Sequence, residues 1–149
     1  MCLRALCASR ANQPKKLTVG RVRVVLADDH REMVAVVRAT LGADFEIVSA
    51  VENGAQAVDA VLALDPDVLI TDISLSVLDG FQVATQLRKS HSRTKIIFLT
   101  MHQDAYFIAA ALSAGVSGYV LKTLLSSDLL TAIEDALKGV IFVSGSAPH

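Results

Sequence analysis

Short, largely apolar runs alternate along the chain with longer stretches whose apolar positions recur at helical spacing. The runs at 22–27, 45–51, 67–71, 95–100 and 118–121 are rich in Val, Ile, Leu and Phe, as strands buried on both faces of a parallel sheet must be. Between them lie segments of helical length at 31–42, 54–64, 80–90, 104–114 and 127–138. Gly42, Gly115 and Gly139 stand where a helix ends in a left-handed residue. Asn53 and either Ser126 or Ser127 serve as N-caps, and Pro66 closes the second helix. Within 127–138, Leu130, Ile133 and Leu137 form one stripe, with Glu134 and Lys138 on the other side. Five strands alternating with five helices over short connections predict a doubly wound parallel sheet with right-handed crossovers.

Composition narrows the class. The 149 residues suit one domain with a real core. Mean hydropathy is positive, yet the longest uncharged run, Ala105 to Leu121, is 17 residues and is punctuated by Ser113, Gly115, Ser117 and Gly118. A spanning helix needs roughly 20 apolar residues without such breaks, so a buried helix followed by a strand is expected and no membrane segment. Residues 1–23 carry Arg4, Arg10, Lys15, Lys16, Arg21 and Arg23 and no acid. The rest hold eight basic and 15 acidic side chains, a net charge of −7. An acidic body argues against direct nucleic-acid binding. We therefore expect a basic, disordered leader (or an overextended gene start) over 1–21, a folded domain over 22–144, and a tail or the start of a linker over 145–149. Cys2 and Cys7 both fall in the leader, which leaves the body without a disulfide framework or a standard metal motif. Arg4 and Arg10 interrupt any signal-peptide core, so a cytoplasmic location is the default.

Chemistry gathers at the strand ends. Asp28-Asp29 closes the first run, Asp72 the third and Lys122 the fifth. In an open parallel sheet the carboxyl ends of neighbouring strands meet along one edge, where ligands bind. Carboxylates so placed suit Mg²⁺, which takes oxygen ligands, and they repel one another unless a cation or Lys122 is near. Lys122 suits a phosphoryl group as a point charge. Taken singly, the bland readings stand beside these. Asp28-Asp29 can cap the following helix, Asp72 can be a turn residue, Lys122 can be solvated and Tyr119 can be ordinary core.

Five motifs in order go further. Val24-Val25-Leu26-Ala27-Asp28-Asp29-His30, Leu69-Ile70-Thr71-Asp72-Ile73, Leu78-Asp79-Gly80, Ile96-Ile97-Phe98-Leu99-Thr100 and Ala114-Gly115-Val116-Ser117-Gly118-Tyr119-Val120-Leu121-Lys122 together resemble a bacterial response-regulator receiver domain over about 22–144. Thr100-Met101-His102 and the run ending at Lys122 are similar to receivers of helix-turn-helix regulators of the nitrate- and quorum-response type. The resemblance implies a flavodoxin-like (βα)5 sheet of strand order 2-1-3-4-5. It implies Asp72 as phosphoacceptor from a sensor histidine kinase, with Mg²⁺ held by Asp29 directly, Asp28 mainly through water, Asp72, and the backbone carbonyl of Ser74. It also implies Lys122 and Thr100 on phosphoryl oxygens, and Tyr119 as the switch aromatic that moves into space vacated by Thr100. Such a domain is a signalling phosphoacceptor rather than an enzyme, and controls transcription through an output domain that these residues have no room to form.

The chain departs from the family in places. Leu75-Ser76 replaces the frequent Met-Pro, which removes a loop restraint, and Met101 replaces a small residue and narrows access for small phosphodonors. His30, His91 and His102 lack ligand spacing with one another and read as loop residues, with His102 bordering the phosphoryl site by resemblance. The 104–114 segment has no charge after Asp104, so the 104–121 helix–strand face is a candidate surface for a homodimer or an output partner. Two alternatives remain at this point. One is a receiver used as a phosphorylation-independent scaffold. The other is a Mg²⁺-dependent phosphohydrolase with an aspartyl nucleophile, against which stand Ser74 in place of a second acid and the lack of a cap domain.

Overall fold

A computed structural model describes residues 21–145. Nearly all of the basic leader expected over 1–21, and most of the tail expected over 145–149, lie outside the described residues. The elements run β1 (Val22–Ala27), α1 (Arg31–Leu41), β2 (Phe45–Val51), α2 (Gly54–Leu64), β3 (Val68–Thr71), α3 (Gly80–Lys89), β4 (Lys95–Thr100), α4 (Ala105–Ser113), β5 (Gly118–Leu121), α5 (Leu125–Leu137) and β6 (Phe142–Val143). The sheet is wholly parallel in the order β2-β1-β3-β4-β5-β6. The doubly wound α/β expectation holds, and the flavodoxin-like order 2-1-3-4-5 is extended by one strand. Two residues are too short to show as a strand in an apolar pattern, so β6 was not expected. No helix of the described residues is long and apolar enough to cross a membrane.

Alternation along each strand divides the core into two layers. Val24 and Leu26, Val68 and Ile70, Ile97 and Leu99, and Val120 pack toward α1 and α5, against Val37, Leu41, Leu129 and Ile133. Val25 and Ala27, Leu69, Ile96 and Phe98, and Tyr119 pack toward α2, α3 and α4, against Val58, Val61, Val83, Leu87 and Ala111. Burial of both faces explains why the strand runs are nearly uniform in apolarity.

Helix ends are set as expected in part. Asn53 Oδ1 accepts from Gln56 N–H at 2.9 Å, and Asp79 with Gln82 forms a capping box on α3. Gly42, Gly115 and Gly139 have positive φ as expected, and α2 ends before Pro66 at left-handed Asp65. Two expectations for α5 need correction. The helix starts at Leu125 with Leu124 as N-cap, and the Ser127 hydroxyl donates back to the Leu124 carbonyl instead of capping. Its buried stripe is Leu125, Leu129, Ala132, Ile133 and Ala136, while Leu130 is 39% exposed. Only Ile133 is common to the two stripes, and two of the five buried positions are small alanines that a stripe of large apolar residues passes over.

The loop from Ile73 to Asp79 is seated by two glycines. A Cβ on Gly54 would lie 1.9 Å from the Leu78 carbonyl oxygen, and one on Gly80 would lie 2.9 Å from Ile73 Cα. Gly54 N–H donates to Ser76 O at 3.1 Å, and Gly80 N–H to Ile73 O at 2.8 Å. Val77 takes φ +70° in this loop and is 71% exposed, a strained conformation for a β-branched residue that packs against little. Val77→Gly should therefore stabilise the fold by about 1 kcal/mol, strain relief of the size that left-handed non-glycine residues store. Gly54→Ala should cost about 2 kcal/mol through overpacking. Urea denaturation of both variants checks the opposite signs.

Candidate functional site

Register brings the chemistry together. Ala27 of β1 pairs with Thr71 of β3, so Asp28 and Asp72 both fall one step past the last paired rung. Asp72 N–H donates to Ala27 O at 3.1 Å, and Asp28 N–H to Val51 O at 3.0 Å. Thr100 of β4 pairs with Leu121 of β5, which places Lys122 next along the same edge. The site is thus made by strands of equal reach, and each functional side chain follows a strand held on both sides.

Asp28 and Asp72 are buried, at 3% and 6% exposure. Lys122 reaches between them, with Nζ 2.9 Å from Asp72 Oδ2 and 3.4 Å from Asp28 Oδ2. Burial by itself lowers the pKa of the Lys122 ammonium, but hydrogen bonding to Asp72 and charge attraction from Asp72 and Asp28 outweigh it and hold the group above the ordinary lysine value. The Ser74 N–H donates to Asp72 Oδ1 at 3.2 Å. Asp29 stays half in water, its side chain 47% exposed.

The residues present fit a small hard cation. Asp28 Oδ2 is buried and accepts no hydrogen bond, leaving only the longer ion pair to Lys122. One ligand atom each from Asp28, Asp29, His30 and Asp72 lies within 4.8 Å of the others. Three carboxylates against one ammonium leave negative charge for a divalent ion, and oxygen donors suit Mg²⁺. His30 belongs to this cluster although its spacing suggested only a loop residue. Its Nδ1 lies 3.1 Å from Asp28 Oδ1 and 3.0 Å from Asp29 Oδ1, and its backbone N–H donates to Asp28 Oδ1 at 2.8 Å. Its place directly after the acid pair was the available signal.

Thr100 and Tyr119 meet through the backbone of one residue, His102. Thr100 is fully buried, and its Oγ1 accepts from His102 N–H at 3.1 Å. Tyr119, also fully buried, donates its hydroxyl to His102 O at 2.8 Å. The His102 ring stacks on Phe107 of α4 at 4.0 Å. Burial, with the charge on Asp104 adding to it, pushes the Tyr119 phenol up to about 12. Met101 is 62% exposed. The 104–121 face is mixed: Tyr106 is 77% exposed and Leu112 39%, whereas Ala111 is buried.

Comparison with known proteins adds the family. The family model described as "Response regulator receiver domain" matches residues 24–134. The transcriptional regulatory protein NarL of Mycobacterium tuberculosis is 34% identical over 131 residues, covering 85% of this chain and 57% of the relative. The oxygen regulatory protein NreC of Staphylococcus haemolyticus is 34% identical over 129 residues, covering 82% of this chain and 58% of the relative. The chain thus spans less than two thirds of these relatives' length. Among solved structures, the signal receiver domain of NarL from Mycobacterium tuberculosis aligns with TM-score 0.76 at 30% identity over 80% of this chain and 98% of that one. The isolated receiver of RcsB from Salmonella enterica, solved with the phosphomimetic BeF3⁻, aligns with TM-score 0.76 at 27% identity over 85% of this chain and 95% of that one.

Lys122→Met strands two buried carboxylates and should lower stability by about 3 kcal/mol. Added Mg²⁺ should restore part of it, as the difference in denaturant midpoint with and without the ion reports. Lysine and tyrosine titrate in the unfolded chain near pH 10, and Lys122 and Tyr119 higher in the folded one. Above that pH the unfolded chain gives up protons that the folded chain keeps. Their stabilisation is therefore full below about pH 10 and falls as pH rises, for Tyr119 until about 12. Unfolding free energies at about pH 9 and about pH 11 should converge in Tyr119→Phe relative to the parent.

Proposed function

The chain belongs to the response-regulator receiver family of two-component signalling, and on that premise we propose that Asp72 is its phosphoacceptor. The observation that carries this reading is the placement of a buried Asp72 carboxylate, 2.9 Å from Lys122 Nζ, beside the acid pair at the carboxyl edge of the sheet. An Asp72 oxygen attacks the phosphorus of a phosphohistidine on a sensor histidine kinase. The P–N bond breaks, the leaving imidazole recovers a proton, and an aspartyl phosphate forms. Phosphoryl transfer asks a protein mainly for positioning and charge neutralisation. Mg²⁺, when bound, supplies the second part.

Asp28, Asp29 and Asp72, with the Ser74 carbonyl, would hold that ion. Lys122 moves its pairing from the Asp72 carboxylate to a phosphoryl oxygen. Thr100 gives up its bond from His102 N–H and turns its hydroxyl to another phosphoryl oxygen. That shift loads the backbone of His102, whose carbonyl holds Tyr119, and so passes a local charge event toward α4. The domain acts as a switch: its chemistry is self-phosphorylation from a partner and slow self-dephosphorylation. The whole protein would act on transcription through an output domain, with the 104–121 face as the surface that changes partners and with no nucleic-acid contact by this domain.

Incubation with Mg²⁺ and acetyl phosphate, followed by intact mass, should show one added phosphoryl group in the wild type and none in Asp72→Ala or without the ion. Equal mass gain in Asp72→Ala would overturn the assignment. Absence of gain with acetyl phosphate and absence of beryllofluoride binding together would favour the scaffold reading.

A further inference from the structure

Ser144 is buried, at 4% exposure, and takes no part in the site described above. Its hydroxyl donates to Asp128 Oδ2 of α5 at 2.8 Å and accepts from Leu121 N–H at 3.1 Å. Its own N–H donates to the Tyr119 carbonyl at 2.8 Å. One serine therefore ties together α5, the carbonyl of Tyr119 and the residue directly before Lys122.

Apart from Ser144, the segment is held by Val140 N–H, which donates to Asp135 O at 2.8 Å, and by half-buried Phe142 and Val143 against the two core layers. Residues 140–144 run between Gly139 at φ +83° and Gly145 at φ +77°. Val140 and Ile141 are 50% and 57% exposed. Pairing with β5 is confined to Phe142 and Val143, and Phe142 N–H reaches Ser117 O only at 3.4 Å. A two-residue edge strand contributes little by itself. Short edge segments of this kind can open locally while the rest of the domain stays folded. The bonds of Ser144 close its C-terminal end.

We propose that Ser144 is a positioning residue for Lys122, latching the 140–144 strap to the end of β5 in the arrangement where Lys122 pairs with Asp72. The inference rests on the phosphoacceptor reading of Asp72. Leu121 N–H, which Ser144 holds, lies one residue before Lys122, so the latch fixes where the lysine stem leaves the sheet. A phosphoryl oxygen on Asp72 lies farther out than the carboxylate oxygen that Lys122 now contacts. Following it pulls on the Leu121 peptide and weakens the bond to Ser144. Strap and phosphoryl site are then linked in both directions, because coupling between two equilibria is reciprocal.

The test uses the full 149-residue chain with Mg²⁺ and beryllofluoride, ¹⁹F NMR to count bound ligand and hydrogen exchange to follow the strap. In the wild type, bound beryllofluoride should speed exchange of residues 139–145 on the order of fivefold. Ser144→Ala should exchange fast in both states and bind beryllofluoride more tightly by the same factor, while Ser144→Thr, which keeps a hydroxyl, should restore the wild-type response. Bound beryllofluoride with unchanged strap exchange in the wild type overturns the proposal. So does a Ser144→Ala variant with unaltered affinity, or one that loses protection in β1 and β3, since that marks a purely structural role. No bound signal at all would instead overturn the phosphoacceptor reading, and the strap's role with it.

Discussion

Three carboxylates at one end of a sheet can be packed together only if something positive stands among them, and in this domain that is the ammonium of Lys122. Asp28 and Asp72 have given up most of their water, and buried charges are costly unless paired with a group of opposite sign. Lys122 pairs with both at once, which binds the end of β5 to the ends of β1 and β3 across the width of the sheet. β5 also holds Tyr119 and, at its outer edge, the strap that Ser144 closes.

The loop after Asp72 shows a second constraint. Gly54 and Gly80 let two helix starts press against its backbone, and Leu75 packs half-buried against the α2–α3–α4 core layer. The family's usual proline at the position of Ser76 would have restrained the loop covalently; here close packing does so, with a strained Val77 at its outer turn. Asp72 is thus held by contacts from helices on one side of the sheet, while Lys122 holds it from another strand.

Most of the architecture was legible because burial on both faces leaves the strand runs nearly pure in apolar residues, and because glycine and Asx residues stand at helix ends. The acids and Lys122 were legible because they close those runs. Three things were not. β6 is two residues long, below what a pattern resolves. The start of α5 moved because Ser126 and Ser127 read as N-caps, whereas the helix follows directly on the Lys122–Leu124 3₁₀ turn and the Ser127 hydroxyl bonds back to Leu124. The bonds of His30 and His102 depend on backbone geometry: His102 joins Thr100 to Tyr119 through its own N–H and C=O, which no side-chain pattern encodes.

The most direct measurement is a crystal structure of the domain with Mg²⁺ and beryllofluoride. The account predicts beryllium bonded to an Asp72 oxygen, Lys122 Nζ moved from Asp72 onto a fluoride, the Thr100 hydroxyl on another, and the ion against Asp29 and Asp72. Beryllofluoride bound elsewhere, or bound on Asp72 with Lys122 still paired to the carboxylate as it is now, would contradict it.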